Sequence, residues 1–203
     1  SRHVRGLDRH PGGVMSSPAV RLRDVTADDR DRLRLWRNQP DVARWMYTDA
    51  EISPQDHARW FEQAMADPTR RYWIIELDGD PVGLANLADI SAAHRKCAWA
   101  YYLASPAVRG KGVGAFVEFW VIEHVFGALG LNKLCCEVLV ENEAVWKLHE
   151  SFGFVREALL RHHVWKGGEP RDVVGLGLLA QDWARVRPQS LARLREKGYA
   201  IPD

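Results

Sequence analysis

A glycine-rich turn between a strand pattern and a long helix pattern constrains the fold more than any other feature of the sequence. Residues 108–114 read Val-Arg-Gly-Lys-Gly-Val-Gly, and an amphipathic pattern then runs to about Leu129. Three glycines within five residues let backbone N–H groups turn toward one point without Cβ atoms in the way. The start of the helix adds the positive end of its dipole, and Arg109 and Lys111 add charge. The turn therefore predicts a cradle for a pyrophosphate.

A tight turn with two solvated basic residues would give the same sequence. The turn is not a Walker A loop, because no Lys-Ser/Thr pair follows it, and its spacing does not fit the dinucleotide fingerprint of a Rossmann fold. The strand before the turn and the helix after it favour phosphate binding.

Hydrophobic periodicity predicts strands and helices in alternation along the whole chain. Strands are predicted at 19–25, 72–77, 81–89, 96–104, 132–140, 154–165 and 171–179. Helices are predicted from Thr26 to before Pro40, and at 54–67, 112–129, 143–152 and 181–197, the last broken at Pro188. The strands on either side of the glycine turn form a parallel βαβ unit, and the earlier strands are predicted to be antiparallel. We predict an α/β (α+β) fold with a mixed, mostly antiparallel central sheet flanked by helices.

Length and composition fit one domain. The chain has 203 residues, 46% of them apolar, and a net charge of +1. We expect a disordered extension over residues 1–17, a domain over 18–180 and a helical tail over 181–203. The near-neutral charge disfavours a nucleic-acid binder unless the basic segment 185–197 forms a patch.

The sequence also bears on cellular location. No apolar run approaches the ~20 residues that cross a bilayer, and the first residues lack the apolar middle of a signal peptide. The three cysteines are an odd number and two of them, Cys135 and Cys136, are adjacent, which disfavours a disulfide framework. We expect a cytoplasmic protein without a metal site and without a membrane or nucleic-acid partner.

Two motifs resemble one family. Arg109-x-x-Gly112-x-Gly114 resembles the acetyl-CoA motif of the GNAT superfamily of N-acetyltransferases, and the predicted segment order matches that fold from Val20 to Leu179. Residues 142–154 are similar to the family's Asn…Leu-Tyr…Gly-Phe segment. The resemblance implies direct acetyl transfer from acetyl-CoA to a primary amine, without a metal. It implies coenzyme contacts for Leu103, Val108, Arg109, Gly110, Lys111, Gly112, Val113, Gly114, Asn142 and Lys147.

The resemblance implies two catalytic residues. In the family, a tyrosine seven residues after the asparagine protonates the leaving thiolate, and this chain has His149 there. An imidazolium is a competent acid, although His149 could also simply pack near the coenzyme, and the thiolate could leave without a dedicated acid. Glu137, which strand alternation places on the face of Cys135 and Leu139, would deprotonate the acceptor amine through water. Its alternative is a structural ion pair with an arginine.

The early helical segment resembles one branch of the family. The run Trp-Arg-Asn (36–38), Trp-Met-Tyr (45–47) and the following His resemble N-acetyltransferases that act on a UDP-linked 4-amino-4,6-dideoxy sugar in pseudaminic acid biosynthesis. The resemblance implies that Arg37 and His57 contact the nucleotide and that Trp45 and Tyr47 lie nearby. We therefore expect a small-molecule acceptor, a nucleotide-linked amino sugar, and a monomer or homodimer.

Other acceptors and one other class stay open. Related branches acetylate protein N-termini, such as those of ribosomal proteins, or polyamines and other small amines, and some domains of this fold bind the coenzyme without turnover. The nine tryptophans divide accordingly. Trp36, Trp45 and Trp60 fall in the early segment and are predicted to shape the acceptor pocket, whereas most of the others are expected to pack in the core.

Overall fold

Seven strands form a single sheet in residues 18–203, the part of the chain that the computed structural model describes. The predicted extension over residues 1–17 lies outside the described residues. The strands are β1 (Val20–Asp24), β2 (Arg71–Leu77), β3 (Asp80–Ser91), β4 (Lys96–Leu103), β5 (Lys133–Leu139), β6 (Val155–Lys166) and β7 (Glu169–Leu179). The α-helices are α1 (Arg30–Asn38), α2 (Pro40–Ala43), α3 (Pro54–Ala66), α4 (Val113–Glu123), α5 (Glu143–Ser151) and α6 (Ala180–Glu196).

The sheet is mixed and mostly antiparallel, which confirms the predicted fold. The strand order is β1-β2-β3-β4-β5-β7-β6, and only β4 and β5 are parallel. The connection between them contains α4, so the βαβ unit lies where the glycine turn predicted it.

Local signals account for several element boundaries. The turn between β2 and β3 has positive φ at Asp78 (51°) and Gly79 (87°), as a two-residue hairpin turn requires. At the start of α3 the Ser53 hydroxyl accepts a hydrogen bond from the Asp56 amide at 3.2 Å, and Pro54 occupies the first helical position.

Two helices differ from their predictions. The pattern that predicts a helix to Leu129 is α-helical only to Glu123 and continues as a π-helical turn over His124–Ala128, in which the Leu129 amide bonds the His124 carbonyl. The predicted break at Pro188 is wrong, because α6 continues through that residue. Packing of Trp183, Leu191 and Leu194 in the core stabilises α6 on both sides of the missing amide.

Helices cover both faces of the sheet. On one face, α4 and α6 pack against the sheet in the main core, in which Val117 and Trp99 are buried. On the other face, α1 and α3 enclose a smaller cluster of Leu33, Trp36 and Phe61. Successive residues of β4 therefore alternate between two different helical layers.

Candidate active site

A cleft opens in the middle of the sheet where β4 and β5 separate. The two strands pair only as far as Ala98 and Cys135, although β4 continues to Leu103 and β5 to Leu139. Beyond that point lies a cleft of about 730 Å³, lined by both strands, by α5 and by the segment that follows α1. This volume suits a small molecule, and the cleft reaches both layers of the fold.

The predicted coenzyme loop, residues 109–114, leads into the first turn of α4. Gly110 and Gly112 have positive φ values of 73° and 67°, and Gly112 directly precedes the helix. A Cβ atom at Gly114 would lie 3.2 Å from the Tyr101 hydroxyl, so the third glycine allows β4 and α4 to approach closely. Arg109 and Lys111 are exposed. The loop has the glycine conformations, helix terminus and cations that a pyrophosphate needs.

The segment after α6 contacts this loop. The sequence analysis did not predict that contact. The Tyr199 hydroxyl donates a 2.6 Å hydrogen bond to the Lys111 carbonyl, and the buried Tyr199 ring packs on Phe116 with centroids 4.9 Å apart. The Lys197 side chain lies against Gly112, where a Cβ atom would come within 2.8 Å of its Cδ. The signal in the sequence was Tyr199, an aromatic residue near the end of a polar tail.

The other predicted coenzyme residues are divided between the cleft and the surface. Leu103 and Asn142 line the cleft. Val108 lies in the short 3-10 turn that precedes the loop. Lys147 is exposed, pairs with Glu143 one turn earlier on α5 and does not line the cleft.

His149 lines the cleft from a buried position on α5. Its ring is 3% exposed and packs edge-on against Trp99, with centroids 5.3 Å apart. Its Nδ1 contacts the carboxylate of Glu118, a fully buried residue of α4. Burial raises the pKa of the Glu118 carboxyl, and the nearby His149 opposes that rise. Sequence analysis did not single out Glu118, although an acid in the middle of the mostly apolar α4 was the signal.

Glu137 lies on the opposite wall, half-exposed, and its neighbours are not arginines. Its Oε2 accepts a 2.7 Å hydrogen bond from the Tyr47 hydroxyl and lies 3.8 Å from His163 Nε2. Burial and the Glu137 carboxylate both raise the pKa of Tyr47, which keeps the phenol protonated and donating. We call Tyr47, Glu137 and His163 the Glu137 cluster. His163 was missed.

A bulge in β6 and the side chain of Lys166 position the members of the Glu137 cluster. The register of β6 shifts between Leu160 and Val164, where His162 has a φ of 50° and its amide donates to Asp172 at 2.8 Å. At the end of β6, Lys166 Nζ donates to the carbonyls of Ala43 and Thr48 at 3.1 and 3.0 Å. The β6–β7 turn therefore holds the segment that contains Tyr47.

The structure does not bring all four predicted acceptor residues together. Trp45 and Tyr47 line the cleft. Arg37 lines a separate cavity of about 160 Å³, and its buried Nε has no hydrogen-bond partner among the described residues. His57 lies on the face of α3 that packs inward with Phe61, is 3% exposed and lines neither cavity; burial lowers its pKa. Helical spacing explains its burial, because His57 and Phe61 are four residues apart.

The charge of the cleft is predominantly negative. Among the described residues, the carboxylates of Asp41, Asp89 and Glu137 line it, and Lys96 is the one Lys or Arg that does so. Such a lining favours a cationic ligand over an anionic one.

All three cysteines also line the cleft. Burial raises the pKa of Cys97 to about 12 and raises those of Cys135 and Cys136 as well. Because the thiolate is the nucleophile, these thiols are poorly suited to accept an acyl group.

Within 18–203, no helix is long and apolar enough to cross a membrane. The same range contains no group of three or more His, Cys, Asp or Glu side chains placed to hold a metal ion.

The chain is similar to known acetyltransferases in sequence and in structure. Residues 19–155 match the family model of an acetyltransferase (GNAT) domain. A spermidine N(1)-acetyltransferase of Escherichia coli K12 is 25% identical over 159 residues, which cover 78% of this chain and 85% of that protein. An uncharacterized N-acetyltransferase, p20, of Bacillus licheniformis is 26% identical over 80% of this chain and 94% of that protein. A crystal structure of spermidine N-acetyltransferase from Vibrio cholerae with CoA and spermine has a TM-score of 0.75 and 22% identity, covering 81% of this chain and 98% of that one.

Proposed function

Since the chain belongs to the GNAT acetyltransferase family and is an acetyl-CoA-dependent N-acetyltransferase, we propose that its acceptor is a small polycationic amine of the polyamine class. The observation that carries this proposal is the charge of the cleft, in which three carboxylates accompany one lysine. A polyamine presents two or more ammonium groups, so one can pair with these carboxylates while another is acetylated. The spermidine acetyltransferases among the similar proteins support the same acceptor class.

The UDP-linked amino sugar that the early segment suggested has less support. A diphosphate is bound by arginines, lysines and backbone amides, and no arginine lines the cleft within the described residues. Arg37 and His57, which were predicted to contact the nucleotide, lie outside the cleft lining. We therefore propose a small amine, rather than the nucleotide-linked sugar, as the acceptor.

The coenzyme's position follows from the loop and the splayed strands. Backbone amides of residues 109–114, with Arg109 and Lys111, would bind the pyrophosphate, while Leu103 and Asn142 would contact the pantetheine arm. When bound, acetyl-CoA supplies the acetyl group as a thioester.

The two walls of the cleft supply the proton transfers. Glu137, held by Tyr47, accepts a proton from the acceptor ammonium through water, because only the neutral amine has a lone pair for attack. His149 donates a proton toward the leaving sulfur from the other wall. The raised cysteine pKa values support direct transfer to the amine rather than transfer through an acetyl-cysteine.

A thiol-release assay across acceptor classes tests the proposed function. We expect acetyl-CoA-dependent thiol release with spermidine, and none above background with a UDP-linked 4-amino sugar or with N-terminal peptides. Turnover of the sugar or the peptides without turnover of spermidine would contradict the proposal. Coenzyme binding without turnover of any amine would indicate a binding module.

We also propose that the protein works in the cytoplasm. The three cysteines are free in the structure, which suits a reducing compartment. Fractionation of the native host, with the protein found in the periplasm or in the medium, would contradict this location.

A further inference from the structure

Glu118 is an unusual residue for its position. It is 0% exposed, and its neighbours on α4, Val117 and Phe119, are buried in the main core. Burying a carboxylate costs several kcal/mol unless it is paired, and an apolar side chain of similar size is usually tolerated equally well or better at such a site. Core packing alone therefore does not explain an acid here.

The contacts of Glu118 point to one partner. Its Oε1 contacts His149 Nδ1, and its Oε2 has no hydrogen-bond partner among the described residues. Because Nδ1 is used in this contact, Nε2 is the ring nitrogen left to serve the cleft that His149 lines.

The other titratable groups around the pair are neutral. Tyr101 of β4 and Cys136 of β5 face Glu118, and burial raises the pKa of both groups, so each keeps its proton near neutral pH. No Lys or Arg is hydrogen-bonded or ion-paired to Glu118 within the described residues. His149 is therefore the group through which Glu118 acts on the cleft.

We propose that Glu118 is a positioning residue for the acid: it holds His149 by Nδ1, so that Nε2 presents a proton to the sulfur of the coenzyme. This inference rests on the acid role of His149 in the proposed function. As the carbon–sulfur bond breaks, the proton passes from Nε2 to sulfur and gives the free thiol. The neutral imidazole then regains a proton from water in the cleft. The acceptor ammonium has lost two protons overall, so the complete reaction releases one proton.

Two consequences separate positioning from simple packing. The carboxylate orients the ring, so its loss should lower kcat without a matching change in the KM for acetyl-CoA. Because the carboxylate acts only through His149, its loss should have no further effect once His149 itself has been replaced.

Kinetics of Glu118→Gln test the proposal. We expect kcat to fall about 10-fold or more, with the KM for acetyl-CoA unchanged. The double variant with His149→Phe should be no slower than His149→Phe alone, because Glu118 acts only through His149. Glu123→Gln, a half-exposed acid on the same helix paired with Arg187, is the matched control and should retain the parental kcat. A parental kcat in Glu118→Gln, or multiplying effects in the double variant, would overturn the proposal.

A second measurement needs neither turnover nor a folded variant at Glu118. In the parent protein at high pH, the ¹⁵N signals of His149, assigned by their absence in His149→Phe, should show the proton on Nδ1. A proton on Nε2 in that neutral ring would contradict the proposal. Because no acceptor is present, this result is independent of whether a polyamine is the substrate.

Discussion

The two walls of the cleft each combine a glutamate with a histidine, but in opposite surroundings. Glu137 is half-exposed and shares its carboxylate between the Tyr47 hydroxyl and His163 at the edge of the cleft. Glu118 is fully buried, and His149 is its one hydrogen-bond partner among the described residues. An exposed carboxylate exchanges protons with water and suits removal of a proton from an amine. A buried carboxylate cannot be hydrated, so its effect is expressed through the one group that it touches.

The largest expected effect comes from removing the Glu137 carboxylate at the half-exposed wall of the cleft. Glu137→Gln keeps the shape of the side chain and its contact with Tyr47 but removes the base, so we expect kcat/KM for spermidine to fall about 100-fold. Steady-state thiol release measures this, with Glu62→Gln, an exposed acid on α3, as the control. Parental activity in Glu137→Gln would remove Glu137 from the mechanism.

Loosening the segment that contains Tyr47 should have a smaller effect on activity. Lys166→Met removes two hydrogen bonds that hold the segment containing Tyr47, each worth about 1 kcal/mol. We expect the KM for the acceptor to rise about 10-fold while the KM for acetyl-CoA stays at the parental value. Equal changes in the two KM values would mean that Lys166 supports the whole fold rather than the acceptor side.

The coenzyme side offers the converse test. Tyr199→Phe removes the hydrogen bond to the Lys111 carbonyl but keeps the packing on Phe116. We expect the KM for acetyl-CoA to rise about fivefold, equivalent to one hydrogen bond, with the acceptor KM unchanged. Titration of acetyl-CoA at saturating spermidine measures it. A change confined to the acceptor KM would contradict the role of the C-terminal segment at the coenzyme loop.

The smallest effect is expected at Arg37. Because Arg37 lines a separate cavity, Arg37→Ala should leave the kinetics with spermidine unchanged. A loss of activity with a UDP-linked sugar, accompanied by binding of UDP in the parent, would instead restore the role that the sequence resemblance implied.

The sequence predicted the features that depend on neighbouring residues. The glycine loop was found where expected, and the Ser53 cap and the Asp78-Gly79 turn lie at predicted element boundaries, because each is specified by residues within a few positions of one another. The order of these local elements was sufficient for the mixed sheet and its parallel pair.

Features that depend on distant parts of the chain were missed. Tyr47 meets Glu137 across 90 residues, Glu118 meets His149 across 31, and Tyr199 reaches Lys111 across 88. No periodicity reports such pairings, since they arise only when sheet and helices pack. His57 shows the converse case: its place in a motif suggested a ligand contact, and the face of α3 that carries it points into the core.

The charge requirement of the acceptor tests the central claim most directly. The measurement is kcat/KM for spermidine against that for nonylamine, a primary amine of the same chain length with no second positive charge. If the acidic cleft selects polycations, spermidine should be preferred about 10-fold or more, and added salt should reduce the preference. Equal values for the two amines at every salt concentration would contradict the account.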